Sequence, residues 1–214
     1  MKILVATQKP FASVAVGGIR EIVEKAGFEL ILLEKYTEKS ELLEAVKDAN
    51  AIIIRSDKID AEVMDAAPEL KIIVRAGFDN VDLQAATQHG IVVMNTPGQN
   101  SNAVAELVFG LLLFTVRNHY NGKSGTELMG KKLGLLAFGN VPQNVAPVAK
   151  GFGKEVYAYD AYCPQEIFVQ HGVIQVNSAE ELFRICDVVS LHIPSTPETK
   201  NSINAKLIAS MRPN

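Results

Sequence analysis

The sequence has no tryptophan, only two cysteines and four histidines among its 214 residues, and no large excess of charge of either sign. Each scarcity excludes something. Cys163 and Cys186 have no further cysteine at metal-ligand spacing, so a disulfide framework and a zinc site are both set aside and two reduced, structural thiols are expected. With 21 basic against 24 acidic side chains, the net charge of −3 spreads no broad positive field, which argues against nucleic acid as a partner. Long apolar runs are missing as well. The most apolar stretch, Ala103 to Val116, is about fourteen residues long and carries Glu106, too short to span a bilayer. The N-terminal Met1-Lys2-Ile3-Leu4-Val5-Ala6-Thr7 reads as a strand and not as a signal peptide. The expectation is a cytoplasmic protein with no membrane contact and no metal.

What is present is a regular alternation. Short β-branched runs at Ile3 to Ala6, Glu29 to Leu33, Ala51 to Arg55, Leu70 to Arg75 and Ile91 to Asn95 are separated by amphipathic segments around Ile19 to Lys25, Ser40 to Lys47, Ala61 to Ala66 and Leu83 to His89. Strands that alternate with helices predict a parallel sheet covered on both faces, with right-handed crossovers. The first 100 residues therefore read as a flavodoxin-like α/β domain. A helix from about Ala103 to His119, capped by Ser101 or Asn102, and a glycine-containing linker occupy residues 101–130. A second α/β series fills residues 131–214. Its strands are expected at Leu133 to Phe138, Glu155 to Asp160, Val173 to Val176 and Asp187 to Ile193, with helices at Val141 to Phe152 and Ala179 to Arg184 and an amphipathic stretch from Thr199 to Met211.

The turn after the first strand of that series reads Ala137-Phe138-Gly139-Asn140-Val141-Pro142, and Asp160 follows Gly139 by 21 residues. A dinucleotide-binding turn uses one glycine for the tight turn, a second for close approach of the pyrophosphate and a third for helix-on-strand packing. An acid about twenty residues on takes the ribose hydroxyls. Only the middle glycine and the acid stand here. Alanine at the first position fits if its φ stays negative, and Pro142 is bulky where helix and strand should lie close. The plain alternative is an ordinary βαβ turn that binds nothing, with Asp160 as a cap. If a dinucleotide binds, Asp160 favours a free 2′-hydroxyl, hence NAD over NADP.

Longer segments carry a resemblance. Ile54-Arg55-Ser56, Val74-Arg75-Ala76-Gly77, Asp79-Asn80-Val81-Asp82, the run from Asn95-Thr96-Pro97-Gly98 through Glu106-Leu107, and the run from Asp187 through His192-Ile193-Pro194 to Thr199 are similar, in order, to the D-2-hydroxyacid dehydrogenase family, most closely to its phosphoglycerate-acting branch. The resemblance implies an NAD-dependent oxidoreductase acting on a small 2-hydroxy acid such as 3-phosphoglycerate, in serine biosynthesis, and a Rossmann domain of strand order 3-2-1-4 for the second series. It places Arg55 and Ser56 against the substrate's phosphate or carboxylate, backbone N–H groups of Ala76 and Gly77 against its carboxylate, and Asn102 near substrate and nicotinamide. Gly139, Asn140 and Val141 fall under the pyrophosphate, Asp160 at the ribose, and His192, Ile193 and Pro194 on the adenosine side. His192 is not the family's catalytic histidine. His89, His119 and His171 read as surface or packing residues without carboxylate partners. The helix matching Ala103 to His119 implies a homodimer.

The family's catalytic arginine, glutamate and histidine follow the point where this sequence stops, so no residue here is assigned as catalytic. The expectation is that these residues hold about the first two-thirds of the Rossmann domain, with the strand from Asp187 to Ile193 as an exposed edge. The alternatives are a catalytically incompetent NAD-binding or dimerising module, and a sequence that is part of a longer polypeptide.

Overall fold

A computed structural model describes residues 1–76 and 80–212. Gly77 lies outside the described residues. The chain divides into two units, Met1–Pro97 and Gly98–Asn214.

In the first unit the strands β1 (Lys2–Thr7), β2 (Glu29–Glu34), β3 (Ala51–Ile54), β4 (Ile72–Arg75) and β5 (Val92–Asn95) are joined by helices α1 (Ser13–Lys25), α2 (Lys39–Ala45), α3 (Ala61–Asp65) and α4 (Leu83–Gln88). All pairings are parallel and the order is β2-β1-β3-β4-β5. The central strands read almost continuously apolar because both faces are covered: Leu4, Val5, Ala6, Ile52 and Ile54 are fully buried. One face packs Leu4, Ile52, Ile54 and Ile73 against Val46, Val63, Met64 and Ala86. The other packs Ile3 and Ala51 against Val23. Helix α1 starts six residues earlier than expected, at Ser13 instead of Ile19, because Gly17 and Gly18 hide its first turns from a propensity reading.

One histidine differs from its expected role. His89, at the C-cap of α4, sets Nδ1 2.8 Å from the carbonyl of Ala85 and Nε2 2.8 Å from Oδ1 of Asp65 at the end of α3. The carboxylate partner was invisible in the sequence because it lies on another helix. Both ring nitrogens face acceptors, so the Ala85 carbonyl first and Asp65 second hold the imidazolium pKa above its ordinary value of 6.5. A raised folded pKa makes this contribution to stability fully present below the unfolded pKa and removes it as pH rises through the folded one. Imidazole titration by NMR is expected to show His89 above an unfolded histidine, and Asp65→Asn to lower it. A titration unchanged by Asp65→Asn would refute the pairing.

The second unit opens on α5 (Ser101–Val116), followed by a single tight turn at Asn118–Tyr120. The cap position is Asn100, without a side-chain cap bond. Ser101 and Asn102 are helical residues, and Asn102 Nδ2 instead donates to Glu106 Oε1 at 2.7 Å. Strands β6 (Lys132–Leu136), β7 (Glu155–Tyr159), β8 (Ile174–Gln175) and β9 (Val188–Leu191) alternate with α6 (Asn140–Gly151), α7 (Gln165–Gln170) and α8 (Ala179–Ile185), and α9 (Ala205–Ala209) follows. The sheet is parallel in the order β8-β7-β6-β9, which is the expected 3-2-1-4, with β9 at an edge. Leu133, Leu135, Phe138, Val145, Ala149, Phe168 and Val173 fill one face of it. Leu136, Leu182, Phe183, Cys186 and Leu207 fill the other. Gly134 is required by this second layer, since a Cβ there would lie 3.0 Å from both Cys186 Sγ and Leu182 Cγ. Cys186 is fully buried and its thiol pKa is pushed up to about 12, by burial before the charge of Asp187. Among the described residues no helix is long and apolar enough to cross a membrane.

Candidate nucleotide-binding site

Strand β6 runs out at Leu136 and the chain turns through Ala137, Phe138 and Gly139 into α6. Ala137 has φ +76, the left-handed region that a glycine at this position would enter without cost. The condition set for an alanine here, a negative φ, is therefore not met. The turn is the glycine turn, made by an alanine at a strain on the order of 1 kcal/mol. Three hydrogen bonds hold it: Ala137 N–H donates to the Tyr159 carbonyl at 2.8 Å, Phe138 N–H to Asp160 Oδ2 at 2.8 Å, and Gln143 Nε2 to the Phe138 carbonyl at 2.9 Å. The Phe138 side chain turns inward, fully buried, stacked 4.8 Å from the Phe168 ring and edge-on to His171.

Asp160 ends β7 and its carboxylate is shared between two loops. Oδ2 takes Phe138 N–H, while Oδ1 takes the N–H groups of Tyr162 and Cys163 at 2.8 and 3.0 Å. A carboxylate fixed by three backbone donors keeps one orientation and still has lone pairs to accept from a ligand hydroxyl. Gly139 is the N-cap of α6 with an ordinary φ of −80, and a Cβ built on it would meet nothing within 4 Å. The protein itself makes no demand for glycine here, and the open space in front of the backbone would admit a ligand. Beyond it the first intrahelical bond is Gln143 N–H to the Gly139 carbonyl, so the N–H groups of Asn140 and Val141 have no partner within the helix. Pro142 has no N–H to offer. It is buried in the first helical turn beside Val145, Ala146 and Ala149, and α6 lies down on the sheet around it without disruption. The resulting cradle, with two free donors and the positive end of a twelve-residue helix, suits a phosphate.

The start of α5 is near this point. A Cβ on Gly98, whose φ is +81, would be 3.5 Å from Asn140 Nδ2, and farther along the two helices Phe109 and Phe152 stack at 5.2 Å. Asn102 is exposed in the first turn of α5. Across β6, His192 follows β9 with its N–H on the Leu136 carbonyl at 2.9 Å. Its Nε2 is buried and has no hydrogen-bond partner among the described residues, and burial holds its pKa below the ordinary value. Ile193 packs into the second core layer, and Pro194, exposed, accepts a hydrogen bond from Thr199 Oγ1. These residues fit a dinucleotide: an open glycine cradle, a fixed acceptor at the neighbouring strand end and an imidazole nitrogen with no partner.

In the first unit Arg55 follows β3, exposed, with Nη1 3.2 Å from the Pro10 carbonyl. Ser56 lines a cavity of about 320 Å³ with Gln8, Tyr36 and Thr37. Ala76 N–H donates to the Ile54 carbonyl at 3.0 Å, so it is occupied within the sheet extension and not turned outward as a carboxylate donor. Gly77 cannot be placed with it, lying outside the described residues. Sequence reading missed Asp57, which is buried and hydrogen-bonded to two residues of that lining, Gln8 and Tyr36.

Residues 13–212 match the D-isomer specific 2-hydroxyacid dehydrogenase catalytic domain. The chain belongs to this family. A D-3-phosphoglycerate dehydrogenase of Methanocaldococcus jannaschii is 40% identical over 82% of this chain and 37% of its own length, and a hydroxypyruvate reductase of Thermotoga maritima is 36% identical over 86% and 64%. The chain thus spans between about a third and two-thirds of the length of these relatives. Among solved structures, the NAD+-bound 3-phosphoglycerate dehydrogenase of Entamoeba histolytica is 48% identical, with a TM-score of 0.91, and is matched over 99% of this chain and 68% of that one. The apo D-lactate dehydrogenase of Escherichia coli has the same fold at 27% identity and a TM-score of 0.79, over 99% and 71%.

Proposed function

We propose that this chain is the substrate-recognising and dinucleotide-binding part of an NAD-dependent 2-hydroxyacid oxidoreductase. The substrate is 3-phosphoglycerate and the setting is serine biosynthesis in the cytoplasm. The observation that carries the reading is the joint geometry of the Ala137–Gly139 turn, Asp160 and the first turn of α6.

The residues divide the work by chemistry. Asp160 accepts from the ribose hydroxyls, and its negative charge opposes a 2′-phosphate, which selects NAD over NADP. Asn140 and Val141 N–H groups hold the pyrophosphate over Gly139. His192, Ile193 and Pro194 cover the adenosine, with His192 Nε2 as a hydrogen-bonding partner. NAD, when bound, supplies the hydride acceptor. The guanidinium of Arg55 and the hydroxyl of Ser56 take the acid's anionic groups, for which a planar fork of donors is suited. Ala76, Gly77 and Asn102 are assigned substrate contact by the same family resemblance. Calorimetric titration tests the reading: NAD is expected to bind with NADP at least tenfold weaker, and 3-phosphoglycerate to bind as well. No heat of binding with NAD at millimolar concentration would overturn it.

The homodimer is part of the same proposal. Helix α5 is apolar almost all round yet buries only Ser101, Ala105 and Phe109, and leaves Leu107, Leu111 and Phe114 at 57%, 58% and 44% exposure along one stripe with Ala103 and Gly110. A contiguous apolar stripe on a surface helix fits a self-complementary contact with a second copy. Leu111→Glu is expected to convert a dimer to a monomer by light scattering, weakening association at least a hundredfold. A variant that stays dimeric at micromolar concentration would rule out α5 as the contact.

A further inference from the structure

Asp57 is 4% exposed, and among the described residues no cationic side chain pairs with it. It occupies the carboxyl end of β3, directly after Arg55 and Ser56. Its carboxylate Oδ1 accepts from Gln8 N–H at 2.8 Å and from the Tyr36 hydroxyl at 2.7 Å, and its main-chain carbonyl accepts from Asn80 Nδ2 at 2.7 Å. Those partners have separate origins. Gln8 follows β1, Tyr36 follows β2, and Asn80 belongs to the segment after β4. The side chain thus ties the loops after β2 and β1 to its own loop after β3, and the main chain of the same residue adds the segment after β4.

In open parallel sheets ligands bind outside the carboxyl ends of the strands, on the loops that these ends carry. Here Gln8, Tyr36 and Ser56 line the cavity of about 320 Å³, and the first two are hydrogen-bonded to Asp57. Burying an unpaired carboxylate is unfavourable compared with an apolar residue of the same size, unless the hydrogen bonds it makes fix something that an apolar residue leaves loose. What these bonds fix is the relative position of the cavity's walls. The Tyr36 hydroxyl stays a donor, since burial first and the neighbouring Asp57 second raise its pKa above the ordinary phenol value. Oδ2 accepts no hydrogen bond from the described residues, so the anchoring runs through Oδ1 and the main-chain carbonyl.

We infer that Asp57 is a positioning residue for substrate: it touches no substrate itself, and its carboxylate holds the Gln8 and Tyr36 segments against the Ser56 loop in the arrangement that receives a small phosphorylated 2-hydroxy acid. The inference rests on the substrate assignment proposed above. Its test is calorimetric titration of 3-phosphoglycerate and of NAD into the wild type and into Asp57→Ala, Asp57→Asn and Tyr36→Phe. Asp57→Ala is expected to weaken 3-phosphoglycerate at least tenfold and to change NAD less than twofold, because the nucleotide residues belong to the other unit. Asp57→Asn keeps an acceptor oxygen for Gln8 and Tyr36 and restores affinity to within about threefold. Tyr36→Phe removes a single bond from an otherwise intact unit and falls between them, so a failure of Asp57→Ala to fold does not remove the test. Wild-type 3-phosphoglycerate affinity in Asp57→Ala or Tyr36→Phe, or a parallel loss of NAD, would overturn the positioning role.

Absence of 3-phosphoglycerate binding by the wild type is the separate failure, that of the substrate assignment. Loop order is then read without ligand. Asp57→Ala is expected to speed amide exchange at Gln8, whose N–H the carboxylate accepts, more than tenfold relative to Val5 and Ile73, and a uniform change across the unit would leave Asp57 as an ordinary stabilising residue.

Discussion

Asp160→Ala is expected to lose NAD binding by at least a hundredfold and to destabilise the second unit at the same time. The two effects have one origin. The carboxylate proposed to take the ribose hydroxyls also satisfies the N–H of Phe138, a residue with no exposed surface, and the N–H groups of Tyr162 and Cys163. Removing the acceptor leaves the Phe138 donor buried and unsatisfied, which costs about 1–3 kcal/mol, and removes charge-assisted bonds to the ligand of similar worth. The strained φ of Ala137 is then held by its own bond to the Tyr159 carbonyl and by the Gln143 bond to the Phe138 carbonyl. Calorimetry with NAD and urea unfolding followed by circular dichroism check the pair of effects. An Asp160→Ala protein that keeps NAD affinity within threefold would remove Asp160 from the site, whatever its stability.

Phe138→Ala is expected to be the most damaging single truncation in the nucleotide unit, by about 3–5 kcal/mol. Its ring is fully buried, nearly parallel to Phe168 with an interplanar angle of 15°, and meets His171 edge-on at 5.7 Å. The position is instructive because it lies inside the glycine turn, where the motif allows any residue. Phe138 joins the turn's geometry to the packing of α7, so the truncation is expected to weaken NAD as well as shift the urea midpoint. A loss below about 1 kcal/mol would mean that the turn is held by its backbone bonds alone.

How far the sequence could be read is clear from particular elements. The parallel sheets were legible because β-branched runs and helical periodicity are local signals that repeat along the chain, whereas the 3-2-1-4 order came from the family resemblance. Helix α7 was not, because its six residues, entered from Pro164, are too few for a period to show; Phe168 declares itself only by stacking on Phe138. The glycine turn was legible as a spacing, but the sign of φ at Ala137 was not, since it depends on how two strand ends are tied by Asp160. Asp57 and the His89–Asp65 pair were hidden for the same reason. Their meaning resides in partners 21 to 49 residues away, for which a single sequence has no signature.

The packing of Gly134 against Cys186 has an experimental consequence. The two thiols of this chain sit at opposite ends of accessibility: Cys163 is half-buried in the loop beside Asp160, whereas Cys186 is sealed under the central strand with a pKa pushed up to about 12. An alkylating reagent therefore meets one thiol in the folded protein and the second only when β6 and α8 part. The chain carries its own stopwatch for the opening of its nucleotide unit, and the rate at which the second thiol is captured times that event without any added label.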